Sequence, residues 1–170
     1  MSLQFGNILL QQLHGLSNAL SLSAVAGSFC FILLNMQAQS KLNPSDIELV
    51  KIASNHAKKR FQKDFISIAG ALRAKSEKIY TGINLKYIVR NASTCSEATA
   101  IYAALNDSEQ EFDTVVGVKY LVKTDTFQVV NGCGWCQQLF SYNTPLNVII
   151  DNDGVLEKIS AKKLMPFAFL

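Results

Sequence analysis

The sequence predicts an α/β protein: a three-layer α/β/α sandwich around a mixed sheet of about five strands. Three observations carry this. Short β-branched and apolar runs alternate with segments of helical periodicity. The run "FDTVVGVKYLV" is apolar on both faces, as in a strand covered from two sides. The order of elements, helix, strand, strand, helix, strand, strand, helix, strand, helix, demands a sheet with helices on either face.

Charge divides the chain before any element is assigned. All 16 Lys and Arg and all 13 Asp and Glu lie from Lys41 onward. Residues 1–40 are therefore expected to be an apolar, serine-rich extension, and residues 41–170 one domain. The extension has three readings. A membrane anchor wants about 20 predominantly apolar residues, but Ala19 to Leu34 is shorter and carries Ser21, Ser23 and Ser28. A secretory signal wants a basic start, where only His14 stands. The third reading is an appended segment, with Met36 as the true initiator. A membrane partner is expected only if residues 1–40 anchor the chain; otherwise the protein is expected in the cytoplasm.

Within the domain, Ser45 precedes Glu48 by three residues, a capping box that opens a helix running to about Phe61. "FISIAGAL" and "KIYTGINL" read as strands joined by the polar turn "RAKSEK". A helix follows from Thr94 or Cys95, with Ala98, Ile101, Tyr102 and Leu105 at helical spacing. "FDTVVGVKYLV" and "TFQVV" are strands. "CQQLFSY" makes a short helix starting at the Cys133–Cys136 turn, "LNVIID" a strand, "NDG" a turn, and "SAKKLMPF" a last helical turn stopped by Pro166.

The net charge of +3 and the lack of any basic block exclude a nucleic-acid partner. Four cysteines are too few for a disulfide scaffold. "NGCGWCQQL" places Cys133 and Cys136 in a CxxC, which on its own serves a redox pair, half of a zinc site or a disulfide. Cys95 opens another helix. A helix N-terminus favours thiolate, the form that binds metal. Three thiolates and one open position describe a catalytic rather than a structural zinc site. Cys30 lies in the extension, and neither His14 nor His56 has ligand spacing. Glu97, two residues after Cys95, is placed to move protons at such a site, or else caps its helix in a T-x-x-E box with Thr94.

Here "YTGIN", "TCSEA", "GCGWCQQ" and "KKLMPFAF" resemble the cytidine deaminase family, in order, over about residues 45–170. The likeness is closest to the blasticidin-S deaminase branch, through "DIELV", the alanine after Glu97, and "EFDTVVGVKY". The resemblance implies the sandwich fold and Zn2+ on Cys95, Cys133 and Cys136, with Glu97 as proton shuttle. It implies hydrolytic deamination of a cytosine-type nucleoside, or of an aminonucleoside antibiotic. The absence of a His-x-Glu pattern points to a free nucleoside. A homotetramer is implied, with a dimer as the lesser alternative. Asn84 matches the residue that holds a sugar hydroxyl. Ser96 would offer its backbone N–H to the pyrimidine carbonyl, and Phe169 would approach a neighbouring subunit's site.

Against each role stands a plainer one. Asn84 is also a strand-end residue; Lys86, a candidate substrate contact, is equally a solvated lysine; and Phe169, like Trp135 as a candidate stacking platform, is equally packing. The chain departs from the family pattern at Lys86, where a glutamate accepts a sugar hydroxyl, and at Ala98 and Gln137, where many members carry arginine. Ser96 replaces an alanine and Gly132 a proline. These departures support a rival reading, a zinc-binding deaminase fold without catalysis. A thiol oxidoreductase is the third.

Overall fold

The computed structural model describes residues 41–143 and 145–169. The expectations for residues 1–40, including the Met36 start, lie outside them. Among the described residues no helix is long and apolar enough to cross a membrane.

The elements are α1 (Pro44–Arg60), β1 (Ile68–Ala74), β2 (Ile79–Ile83), α2 (Ser96–Asn106), β3 (Phe112–Leu121), β4 (Thr126–Val130), α3 (Gly134–Tyr142), β5 (Asn147–Asn152), β6 (Val155–Ser160) and α4 (Ala161–Leu164). A 3-10 turn at Arg90–Ala92 lies between β2 and α2. The sheet runs β2-β1-β3-β5-β6, with β4 also paired to β3. Among the described residues only the β3–β5 pairing is parallel. On one edge β3 pairs first with β5, at Thr114 and Val115, and then with β4, from Gly117 to Leu121.

Helices cover both faces, as expected. Residues from α2, α3 and α4 bury Leu72, Ala100, Ile101, Val115, Phe140 and Val148 in one core. On the other face Ala57 of α1 packs with Ala69 and Tyr120. Alternation along β1 explains the split: Ala69 and Leu72 are of opposite parity and point to opposite faces.

Three local readings need correction. The cap of α1 is Asn43, whose Oδ1 accepts the Asp46 N–H at 2.9 Å, with Pro44 as the first helical residue. Ser45 is already inside the helix, so no Ser45–Glu48 box forms. A sixth strand, β6, extends the sheet beyond the about five strands expected. Its signal was the Asp153-Gly154 pair, both at positive φ (51° and 86°), which closes a two-residue hairpin onto β5. On α2, Ala98 and Ile101 are buried, whereas Tyr102 and Leu105 are each 46% exposed. Their helical spacing bears out the expected helix, and these two residues lie on its more exposed side. Thr94 pairs its backbone with Leu85 outside the helix, so it does not cap α2.

A buried charge cluster fixes the α1 face. The Arg73 guanidinium donates to Asp46 Oδ1 and Asp113 Oδ2, both at 2.7 Å, and Lys158 Nζ lies 2.7 Å from Asp46 Oδ2. Arg73 and Asp46 are almost fully buried, where lone charges would be very costly and paired ones are tolerated.

Candidate metal centre and active site

Cys95 is the N-cap of α2, and Cys133 is the N-cap of α3 with Cys136 one turn in. The fold brings the three sulfurs within 4.8 Å of one another. Cys95 and Cys133 Sγ are 3.7 Å apart. Tetrahedral thiolates about 2.3 Å from a zinc ion stand about 3.8 Å apart, so this donor set fits that metal. All three cysteines are free thiols.

The electrostatics also ask for a cation. Burial pushes Cys95 up to about 11, aided by the nearby charges of Cys133 and Glu97. Burial, then the charges of Glu97 and Cys95, push Cys136 up as well. Cys133 is lowered despite burial, because the Cys136 and Trp135 backbone N–H groups and the neighbouring thiols donate to it. The expectation that helix starts favour thiolate therefore holds for Cys133 and is overridden at Cys95 and Cys136. Crowded anions repel one another there, and a divalent cation removes that repulsion.

The loop entering α3 is held from two sides. Asn131 donates to the Asp151 carbonyl and accepts the Asp151 N–H, both at 2.9 Å. Gln137 Nε2 donates to the Gly132 carbonyl at 2.9 Å. So Gln137, standing where an arginine was anticipated, braces the ligand loop.

Glu97 is buried in the first turn of α2. Its Oε2 accepts the Ser96 hydroxyl at 2.8 Å. Ser96 therefore has a side-chain role its matched alanine lacks, beside the expected backbone one. Its own N–H, in the first turn, has no intrahelical acceptor.

Three glycines seat this helix start, and sequence reasoning missed them. Gly70 pairs with Gly82 on one side and Gly117 on the other, a bare stripe across β2, β1 and β3. A Cβ at Gly82 would meet Ala100 N and Ser96 O at 2.4 Å, and one at Gly70 would meet Ser96 O at 2.6 Å. At Gly117 it would meet Glu97 Oε1 at 3.0 Å. Glycines inside strand patterns were the available signal, since they mark close backbone approach.

Beside Cys95 opens a cleft of about 590 Å³. Asn84, Lys86, Arg90 and Trp135 line it. Asn84 is anchored, because its Oδ1 accepts the Ser67 and Ile68 N–H groups at 2.9 and 2.6 Å. Its oxygen is thus occupied by the scaffold. Phe169 does not line this cleft. Its ring is 81% exposed, and its backbone N–H and C=O are both bound by Gln138.

Fold and donor set together define a cytidine deaminase fold carrying a three-cysteine centre. The structure is similar to cytidine deaminases from Bacillus anthracis (TM-score 0.63, 21% identity, 72% of this chain and 87% of that one) and Burkholderia pseudomallei (TM-score 0.60, 22% identity, 75% and 100%). No family model matches the sequence. In sequence the chain is similar to blasticidin-S deaminase from Bacillus cereus, 26% identical over 132 residues, which are 75% of this chain and 94% of the relative.

Proposed function

We propose that the protein is a zinc-dependent hydrolytic deaminase that converts a cytosine-type nucleoside to its uracil form and releases ammonia. One observation carries this: a buried carboxylate, Glu97, stands in the same helical turn as one of three gathered thiols, and its charge reaches Cys95 and Cys136. Cys95, Cys133 and Cys136 hold the metal. Zinc bound by three protein ligands supplies a Lewis acid that makes water nucleophilic near neutral pH. Glu97 does the proton work. It accepts one proton from the attacking water and passes it to the adjacent ring nitrogen, then takes the second proton from the newly added hydroxyl and delivers it to the departing amine, which leaves as ammonia. The Ser96 hydroxyl holds one carboxylate oxygen and so fixes which oxygen faces the reaction. The Ser96 N–H binds the pyrimidine carbonyl, and the Asn84 amide binds a sugar hydroxyl. A homotetramer, in which Phe169 reaches a neighbouring subunit's site, completes the reading; its exposed ring supports this.

The Bacillus cereus relative favours a second reading, an aminonucleoside antibiotic as substrate. Ammonia release is to be measured with cytidine, deoxycytidine, cytosine, dCMP and blasticidin S, with zinc content determined on the same sample. Release from cytidine or deoxycytidine supports the first reading, and release from blasticidin S alone supports the second. One zinc per chain with no release from any of them refutes both and leaves a non-catalytic zinc protein. Absence of metal with a Cys133–Cys136 disulfide points to a thiol oxidoreductase.

A further inference from the structure

The cleft has one charge sign. Lys86 and Arg90 line it, and among the described residues no aspartate or glutamate does. Both cations belong to the loop joining β2 to α2, and that loop is tied down. Leu85 and Thr94 exchange two backbone hydrogen bonds at 3.0 and 3.1 Å where it begins and ends. The Ser93 hydroxyl accepts the Tyr87 N–H at 2.9 Å, and the Tyr87 ring packs edge-on against Phe65. The loop then runs directly into Cys95, so cations and thiols share one short segment. Trp135 forms an apolar wall of the same cleft.

Such a cleft is badly matched to a neutral sugar at this end. A sugar hydroxyl there needs an acceptor, and neither ammonium nor guanidinium can accept. Two cations four residues apart on a braced loop, without a carboxylate to neutralise them in the cleft, instead match an anion. A guanidinium forks two oxygens of a phosphate or carboxylate, and an ammonium adds a point charge.

We infer that the cleft selects a nucleoside whose sugar bears an anionic group, phosphate or carboxylate, held by Lys86 and Arg90. The nucleoside part rests on the deaminase reading above; the anion preference does not. Hydrogen bonds to charged groups are strong enough for about a tenfold preference over the neutral nucleoside. The preference weakens as salt is raised, because both cations are exposed.

The test uses binding as well as turnover. The chain has one tryptophan, and it lines the cleft, so its fluorescence reports occupancy. Zinc-loaded full-length Glu97→Gln protein, which does not consume its ligand, is titrated with cytidine, CMP and blasticidin S at low and high salt. Expected is at least about tenfold tighter binding of CMP or blasticidin S than of cytidine, shrinking with salt. CMP alone gaining assigns a phosphate, and blasticidin S alone a carboxylate. Lys86→Gln with Arg90→Gln should abolish the preference, and inorganic phosphate should compete with CMP in the parent protein without any mutation there. Equal affinities, or a preference that survives the double substitution, overturn the inference. Preference without ammonia release from any ligand in the wild-type protein would sink the deaminase reading and leave the anion site standing. Release from cytidine with no anion preference would do the reverse.

Discussion

Gly82→Ala tests whether the glycine stripe, far from the thiols in sequence, sets their geometry. The new methyl would sit 2.2 Å from Thr99 Oγ1 and 2.4 Å from Ala100 N and Ser96 O. Thr99 Oγ1 already bonds the Ile83 and Ser96 carbonyls, so it cannot simply swing away without losing both. Ordinary contact needs about 3.4 Å or more, so backbone of α2 must rise by about 1 Å. Overpacking of this kind costs about 1–3 kcal/mol. For a domain of this size that lowers Tm by about 3–12 °C. A second effect follows, because α2 carries Cys95 while α3 carries Cys133 and Cys136. Metal–ligand distances tolerate only about 0.2 Å, so zinc affinity should fall by at least about tenfold. The assay is competition with a chromogenic chelator, alongside thermal melts. Gly134→Ala is the matched control. It lies between two of the cysteines, yet a Cβ there meets nothing within 4 Å, and alanine suits a helix start better than glycine. It should keep zinc and be as stable as wild type or slightly more so. If Gly82→Ala binds zinc like wild type and melts within about 1 °C of it, the stripe does not position the site.

Glu97→Gln should keep zinc and fold while losing about 10²–10⁴-fold in turnover, since an amide cannot take the proton; near-normal ammonia release would make Glu97 a structural residue. Asp46→Ala strips Arg73 and Lys158 of a shared buried partner and should cost about 3 kcal/mol in urea unfolding, whereas a loss under about 1 kcal/mol would show that Asp113 alone suffices. Burial raises the Asp113 carboxyl, but the hydrogen bonds from Arg73 and Thr114 and the charges of Arg73 and Lys158 outweigh it, so it titrates below its ordinary range. A depressed folded pKa means stability that is present above the unfolded value of about 3.9 and lost as pH falls through the folded one. Asp113→Asn should accordingly be less stable than wild type at pH 6, with the gap closing below about pH 4 in thermal melts; a gap that stays constant to pH 2.5 would refute the linkage.

The three-cysteine cluster was legible because its signals are local. Cys95 to Glu97 and Cys133 to Cys136 are short spacings at helix starts, and a helix start is written in sequence. The sandwich was legible because β3 is apolar on both faces. What escaped depended on partners remote in the chain. Arg73 reads as part of a polar turn, yet it is nearly buried because Asp46 and Asp113 arrive from α1 and β3. Ser96 was read for its N–H, and only its rotamer shows the hydroxyl on Glu97. Arg90 lines the cleft through the shape of its loop, which no periodicity announces.

The pairing of β3 with β5 bears on how the chain assembles. β1 with β2 and β5 with β6 are hairpins that close locally, so each can form early. The parallel ladder that joins these halves has only two residue pairs, Thr114 with Asn147 and Val115 with Val148. Beyond it, the β4 segment and the thiol cluster tie the second half to the first, and Cys95 must find Cys133 across a long intervening chain. A metal that clips such a loop recovers closure entropy spent late in folding. Zinc supply during synthesis should thus act on the yield of native chain by slowing its escape into unfolded forms, with little influence on how fast the hairpins appear.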